Sequence, residues 1–434
     1  MDPIAYLFGL EVFGMHFGLE RIQALSRALG HPERMYRRVV VAGTNGKGSV
    51  TVMTETALRA AGHRVARYTS PHLVHIEERF VIDGRPVSTD ALREAADTVR
   101  RAAESLMSRG DLAAPPTFFE ATTAVAFELF RRAAVDIAVL EVGLGGRLDA
   151  TNIGPPLAAA ITNIDLDHQQ YLGRSIAEIA REKAGVIHPG TVTVLGDSNP
   201  DVDRVVSETC RERGAPLVRT AEAARTVGEL RPDGRMLVGL RTQTRAYTPV
   251  ALGLRGRHQL ENAVTAAVLL EVLDGAGVAV PQSAVERGLA DAQWPGRLEL
   301  FALGAQQVLL DGAHNPAGAQ ALSAYLREMY PQRLPIVFAA MRDKDASGML
   351  AALAPAATAF NLTEARNART LTVADLRACA REAAARVPVV TDADPSRALD
   401  AALADAPVVC VAGSIFLVGE ARAVIEARGA VLVP

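Results

Sequence analysis

A β-branched run closed by a lysine-bearing glycine loop sets the tightest limit on what this chain can fold into. Arg37-Arg38-Val39-Val40-Val41-Ala42 is apolar after its two arginines, the pattern of a strand covered on both faces. Gly43-Thr44-Asn45-Gly46-Lys47-Gly48-Ser49 follows, and TVMTETALRAAG then carries helical spacing. A buried strand that feeds a helix through so short a turn belongs in an α/β sheet with right-handed crossovers. The rest of the chain repeats the alternation. RVARYTS, DIAVLEVG and LAAAITNI read as strands, while DALREAADTVRRAAESLM, TFFEATTAVAFELFRRA and SIAEIAREKAGVI read as helices. ERFVIDGRPVS is a hairpin candidate turning at Asp83-Gly84, a dipeptide suited to positive φ. Residues 216–255 look richer in strand, and HQLENAVTAAVLLEVL reads as a helix packed back on the first domain.

After Trp294-Pro295-Gly296-Arg297 the alternation restarts, with strand candidates QQVLLDG, LPIVFAA, ATAFNL, VPVV and PVVCVAG. The expected fold class is therefore α/β. A P-loop-containing doubly wound parallel sheet domain should cover 1–296, followed by a smaller Rossmann-like α/β domain over 297–434.

Composition narrows the class of function. The 434 residues are 49% apolar and carry a formal charge of −3, so no global basic field points to nucleic acid or an anionic membrane. No apolar run is long enough to span a bilayer, and MDPIAYLFGLEVFGM lacks the basic start of a secretory signal. Cys210, Cys379 and Cys410 are odd in number and scattered, which fits neither a disulfide framework nor a zinc cluster and suggests a reducing cytoplasm. One bias is sharper. Of 46 basic residues only Lys47, Lys183 and Lys344 are lysine. Codon bias with three survivors is one explanation; sites needing an ammonium where a guanidinium cannot serve is the other.

The glycine loop fits a nucleotide phosphate site. Backbone N–H groups turned toward an anion, a helix N-terminus and Lys47 combine there, and a hydroxyl at the helix start can ligate Mg²⁺. The usual pattern would place that hydroxyl at 48, whereas Gly48 intervenes before Ser49. A bare glycine turn is the competing reading. Glu141 ends the apolar strand DIAVLEVG, an expensive position for a carboxylate unless it is paired or metal-bound. His168 follows the strand AAAITNI in Asn163-Ile164-Asp165-Leu166-Asp167-His168, and Ser70 ends RVARYTS. Ligands collect at such strand ends in open α/β sheets, so these three with the loop suggest a two-metal site. A histidine is an unusual partner for Mg²⁺, which prefers oxygen, and a structural histidine is the alternative.

GTNGKGS, YTSPHL, FFEATT, LEVGLGGRLDATN, LDH…YLG…IAREKAGVI, PGR and DGAHNP stand in this order along nearly the whole chain. Together they resemble the folylpolyglutamate synthase/dihydrofolate synthase family, the folate branch of the Mur-ligase-like amide ligases. The resemblance implies that Thr44, Asn45, Gly46, Lys47, Gly48 and Ser49 form the ATP phosphate loop, with Asn262, Arg297, Asp311 and His314 as further ATP contacts. It implies Ser49, Ser70, Glu141 and His168 around two Mg²⁺ ions, and Lys183 as a carbamylated lysine. Thr117, Phe118, Phe119, Glu120, Leu148, Asp149 and Ala150 would line the pterin-bearing substrate, together with Met15, His16, Phe17 and Gly18. Lys47, Lys183, His168 and Glu141 would be the catalytic set. Two departures are Ser at 49 where others have Thr, and Ala121 where some bifunctional members have an aromatic.

The implied activity is ATP-dependent. A pteroate or folate carboxylate is activated as an acyl phosphate and joined to the amine of L-glutamate, in a cytoplasmic monomer acting on small molecules. ATP contacts on both sides of a hinge near 295–300 would couple nucleotide binding to domain closure. Dihydropteroate and reduced folates are the expected acceptors. Polyglutamate extension alone is the narrower alternative. A peptidoglycan ligase is disfavoured by GLGGRLDATN, and a non-catalytic nucleotide-binding regulator by the joint presence of Lys47, Glu141, His168 and Lys183. Lys344, in Met341-Arg342-Asp343-Lys344-Asp345, is either part of a solvated charge cluster or a functional cation at the interdomain cleft.

Overall fold

The computed structural model describes residues 2–14 and 16–433. Eight strands form its first sheet: β1 (Arg37–Ala42), β2 (Val65–Tyr68), β3 (Phe80–Ile82), β4 (Arg85–Pro86), β5 (Ile137–Glu141), β6 (Ala158–Ile161), β7 (Val192–Leu195) and β8 (Leu217–Arg219). Their order is β4-β3-β2-β5-β1-β6-β7-β8. From β2 to β8 every neighbouring pair is parallel, and β3 and β4 close one edge antiparallel. The β-branched run becomes β1, buried from Arg38 to Ala42. Its neighbours β5 and β6 are buried along their whole lengths, as expected of strands with helices on both faces. The chain leaves β1 for β2, returns to β5 beside β1, then crosses to β6 on its other side. That reversal opens a crevice at the carboxyl end of β1.

The helix after the loop starts at Lys47 and runs to Ala60, four residues earlier than the apolar spacing alone marks it. Its last turns meet the helix Gln282–Asp291 so closely that a Cβ at Gly288 would collide with Ala57. The predicted hairpin forms, with Asp83 and Gly84 both at positive φ. The helix Phe118–Arg132 is set by a capping box: the Thr117 hydroxyl accepts the Glu120 N–H, while the Glu120 carboxylate accepts the Thr117 N–H at 2.7 Å. Helices Pro3–Gly9 and Glu20–Ala28 bury Leu7, Ile22 and Leu25 in this unit's core beside Phe127 and Phe130.

Three further strands, β9 (Ala224–Leu230), β10 (Arg235–Thr242) and β11 (Val250–Arg255), form a small sheet in the strand-rich stretch. The last sheet contains β12 (Glu299–Leu303), β13 (Gln306–Leu310), β14 (Leu334–Phe338), β15 (Ala357–Leu362), β16 (Val389–Thr391), β17 (Val408–Ala412) and β18 (Val431–Leu432). Its order is β16-β15-β14-β17-β13-β12-β18, with a core around Phe338, Phe360, Leu326 and Met349. The five expected strands are β13 to β17, and all adjacent pairs among them are parallel. The antiparallel strand β12 and the edge strand β18 beside it are additions that the sequence reading did not foresee.

Contact density divides the chain into two units. One comprises Met1–Val227, Val238–Val250 and Glu261–Ala292; the other comprises Gly228–Leu237, Ala251–Leu260 and Gln293–Pro434. Two short segments that a boundary at 296–297 assigns to the first part thus cluster with the second. Among the described residues no helix is long and apolar enough to cross a membrane.

Candidate functional site

Four adjacent strands of the first sheet, β2, β5, β1 and β6, end side by side, and each carries one piece of the expected machinery past its carboxyl end. Ser70 follows β2, Glu141 closes β5, the glycine loop follows β1, and His168 lies beyond β6.

The segment after β6 braces the loop. The Thr44 N–H donates to the Asn163 carbonyl at 2.7 Å, and the Thr44 hydroxyl donates to the Asp165 carbonyl at 3.1 Å while accepting the Asp165 N–H at 3.0 Å. The Thr162 hydroxyl donates to the Asn45 carbonyl at 2.7 Å. Thr162, Asn163 and Asp165 are therefore loop-setting residues that the sequence reading assigned no such role. No motif announces them, because their partners lie more than a hundred positions away. Two glycines are obligatory by geometry. Gly43 and Gly46 both have positive φ, and a Cβ would strike Thr162 Oγ1 at the first and Asn262 Oδ1 at the second. Asn262 is thereby seated against the loop.

Two of the three lysines converge here. Lys47 Nζ donates to the carbonyls of Gly43 at 3.0 Å and Thr44 at 2.9 Å. Lys183 Nζ donates to the same Gly43 carbonyl at 2.6 Å. Lys183 is only 5% exposed. It is the last residue of the helix Ile176–Lys183, which is anchored by the glycine-rich segment of GLGGRLDATN. The Arg147 N–H donates to the Glu182 carbonyl at 2.8 Å, and the two side chains pair at 2.9 Å. A Cβ at Gly146 would lie 2.7 Å from the Lys183 carbonyl, and one at Gly185 would strike Arg147. Arg181, two residues earlier, is exposed, so its tolerance of arginine says nothing about position 183.

Glu141 is 6% exposed, and its Oε2 accepts the Ser70 N–H at 3.2 Å. Arg67 is half-buried beside it. Burial pulls that guanidinium's pKa down, opposed by the charges of Glu55 and Glu141, and Arg67 pairs with the buried Glu55 at 3.5 Å. His168 has φ +49 and stands 3.9 Å from the Asp167 carboxylate. Among the described residues no group of three or more His, Cys, Asp or Glu could hold a metal. A cation here would complete its shell with hydroxyls such as Ser49 and Ser70, water and a ligand's phosphates. Mg²⁺ accepts that donor set readily.

The residues expected to line the substrate fall into two kinds. Asp149 is internal mortar: its carboxylate accepts the N–H groups of Leu144 at 2.8 Å and Thr151 at 3.0 Å and the Thr151 hydroxyl at 2.6 Å. Burial raises its pKa, and those hydrogen bonds work against the rise. Ala150 is buried, and Leu148 half-buried, in the same turn. Thr117 and Glu120 are buried in the capping box, and the aromatic residues lie on a partly open surface. Phe118 stacks on Phe8 with centroids 5.8 Å apart and lies 5.1 Å below the Arg79 guanidinium. Phe119 packs 6.1 Å from Tyr68. His16 Nδ1 stands 3.8 Å from Glu120, and Phe17 lies 5.6 Å from Tyr171. Gly18 is buried at the start of the next helix. Met15 lies outside the described residues. His72, in the YTSPHL motif, accepts Arg79 Nε–H at 2.8 Å, and burial with the Arg79 charge lowers its pKa to about 4.

In the second unit, Arg297, Asp311 and His314 lie in one knot. The buried Asp311 carboxylate accepts the N–H groups of Leu298 at 3.0 Å and Ala313 at 2.9 Å, and burial raises its pKa against the opposing charge of Arg297. His314 Nδ1 is 2.8 Å from the Gly312 carbonyl, and a Cβ at Gly312 would strike Arg297. Lys344 is half-buried in the turn before the helix Ala346–Leu353.

Comparison with known proteins follows this geometry. The Mur ligase middle domain family matches residues 89–270, and the Mur ligase glutamate ligase domain family matches 296–415. A Bacillus subtilis protein named dihydrofolate synthase/folylpolyglutamate synthase is 34% identical over 366 residues, covering 83% of this chain and 84% of its own. A Halobacterium salinarum protein named probable bifunctional folylpolyglutamate synthase/dihydropteroate synthase is 38% identical over 437 residues. That alignment covers 96% of this chain and 50% of the relative, so the chain spans half of that protein's length. Crystal structures of Mycobacterium tuberculosis folylpolyglutamate synthase complexed with ADP and AMPPCP superpose with a TM-score of 0.91 at 35% identity, over 98% of this chain and 99% of that one.

Proposed function

This chain belongs to the folylpolyglutamate synthase/dihydrofolate synthase family of Mur ligases, and we propose that it is the ATP-dependent ligase joining L-glutamate to dihydropteroate and to reduced folates. One observation carries this reading. Two buried or half-buried lysine amines meet on the Gly43 carbonyl of a phosphate-type loop, beside a buried glutamate at the next strand end.

The chemistry accounts for these parts. A carboxylate is a poor electrophile at neutral pH. Transfer of the ATP γ-phosphoryl group to a carboxylate oxygen releases ADP and leaves an acyl phosphate. The glutamate amine attacks its carbonyl carbon, the amide bond forms, inorganic phosphate departs, and a proton passes to solvent. Phosphoryl transfer demands positioning and charge neutralisation more than covalent help. Thr44 to Ser49, Asn262, Arg297, Asp311 and His314 are proposed to contact ATP. Lys47 neutralises the phosphates. Ser49, Ser70, Glu141 and His168 would hold two Mg²⁺ ions, which neutralise charge on the transferring phosphoryl group. Lys183 is proposed to work as a carbamate. His16, Phe17 and Thr117–Glu120 are proposed to receive the pterin, with Met15 and Gly18 at the edge of the same segment and Leu148–Ala150 shaping its floor.

In this proposal an ATP-binding part covers 1–296 and a glutamate-ligase part covers 297–434. The enzyme acts as a cytoplasmic monomer on small molecules, independent of nucleic acid and membrane. The test is glutamate-dependent ADP release from purified protein, with dihydropteroate and tetrahydrofolate offered separately. Turnover with both supports the bifunctional reading. Turnover with tetrahydrofolate alone leaves polyglutamate extension, and none with either acceptor overturns the ligase in favour of a nucleotide-binding regulator.

A further inference from the structure

A cavity of about 600 Å³ opens at the opposite end of β1 from the glycine loop. A strand of six residues separates the two by about 20 Å at 3.3 Å per residue, so this space is distinct from the site described above. Its wall comes from the helix Glu20–Ala28, the turn through His31 and Glu33, the first residues of β1, and the segment leading into β6. Four guanidinium groups line it, from Arg27, Arg34, Arg37 and Arg38, against the single carboxylate of Glu33.

That carboxylate is already engaged. Glu33 is buried, accepts the Ser26 hydroxyl at 2.6 Å, stands 3.1 Å from His31 Nδ1, and pairs with Arg34 at 3.3 Å. The other three arginines make no ion pair among the described residues, and Arg38 feels the shared charge of Glu33 and the nearby Tyr36. Arg38 is buried and donates to the backbone carbonyls of Ile153 at 2.7 Å and Pro155 at 3.3 Å. Arg37 reaches the Gly277 carbonyl at 3.1 Å. A carbonyl oxygen satisfies a donor and leaves the positive charge uncancelled. Burying a guanidinium on those terms is costly, and burial does pull the Arg38 pKa down. Apolar surface from Tyr36, Ile153 and Leu157 completes the lining.

We infer that this cavity is a second ligand site that takes a small organic anion bearing phosphate or carboxylate groups. The planar forks of arginine match either group in bidentate fashion, and the apolar wall accommodates a carbon skeleton. The inference concerns residues the ligase reading does not use, and it stands or falls separately from that reading.

The test is titration calorimetry on the full chain with ADP and Mg²⁺ saturating the nucleotide site. Pyrophosphate is the phosphate probe and citrate the carboxylate probe. One equivalent of at least one probe should bind. The paired substitution Arg27→Ala/Arg37→Ala, on exposed side chains, should weaken it by about tenfold or more while the melting temperature without probe stays unchanged. The tighter probe identifies the preferred acid group. Arg38→Met removes the buried charge and should abolish binding; because it could also weaken the fold, the exposed pair decides. Absence of binding by both probes up to about 10 mM, or binding that the paired substitution leaves intact, overturns the inference.

Discussion

The Lys183 ammonium is buried and donates to the Gly43 carbonyl. The ammonium first gives up one proton; attack of the neutral amine on CO₂ then forms an N–C bond and releases a second, so the charge at this position goes from +1 to −1. The carbamate keeps one N–H, so the bond to Gly43 survives the modification, and the new oxygens suit a hard cation. Arginine cannot make this adduct. Lys183→Arg and Lys183→Ala should both be nearly inactive, and short-chain carboxylic acids should partly restore the alanine variant. ¹³C NMR after ¹³CO₂ labelling reads the adduct directly, and a fully active arginine variant would sink the proposal. Glu141→Gln keeps the shape that accepts the Ser70 N–H but removes the charge. Turnover should fall by about two to three orders of magnitude with an unchanged unfolding midpoint; near-normal turnover would place Glu141 outside the site. Gly46→Ala strains a left-handed φ of +86 and strikes Asn262 Oδ1. Nucleotide affinity should drop by about tenfold or more, and adding Asn262→Ala should recover the part due to the collision. A strictly additive pair would show that Asn262 and the loop do not touch.

Individual elements show where sequence patterning sufficed and where it did not. The β1 run, the Asp83-Gly84 hairpin and the TFFEATTAVAFELFRRA helix are legible because a few consecutive residues contain their whole cause. β12 and the edge strand β18 were missed because β12 pairs antiparallel with β13 beside an already complete parallel core and β18 pairs in turn with β12, and such short added strands carry little burial pattern. The helix at Lys47 starts early because the loop, not apolar spacing, nucleates it. The site divides the same way. The loop, Glu141 and Lys183 stand in recognisable motifs, whereas Thr162, Asn163 and Arg67 act through partners distant in sequence. Helix packing supplies a prediction at this scale. Gly288 sits where the helix Gln282–Asp291 touches Ala57 on the helix that begins with Lys47. Gly288→Ala should destabilise the chain by about 1–3 kcal/mol through overpacking and weaken nucleotide binding by shifting the loop. An unchanged urea midpoint together with unchanged ADP affinity would show that the contact yields without cost.

At the scale of the whole molecule, stability should depend on pH through histidines that the fold keeps neutral. Burial and the charge of Arg79 lower His72 to about 4, and burial and the charge of Arg297 lower His258 to about 4, each from an ordinary 6.5. Between those values the unfolded chain binds more protons than the folded chain. The slope of unfolding free energy with pH is then positive, so stability is present above the ordinary value and drains away as pH falls toward the folded one. Each histidine can contribute at most about 1.4 kcal/mol per pH unit across that window. Asp149 and Asp311 push the other way, since burial raises both carboxyls and the folded chain then binds the extra proton. The whole-chain profile is a sum of opposing slopes, so a difference measurement isolates the histidine part. His258→Gln keeps a polar side chain beside Gln259 and removes the titration. Urea unfolding of both proteins at about pH 7.5, 6 and 5 should show the wild type losing stability relative to the variant at each step. Parallel losses would mean that His258 takes up its proton in the folded chain at the ordinary value, and that its surroundings do not keep it neutral.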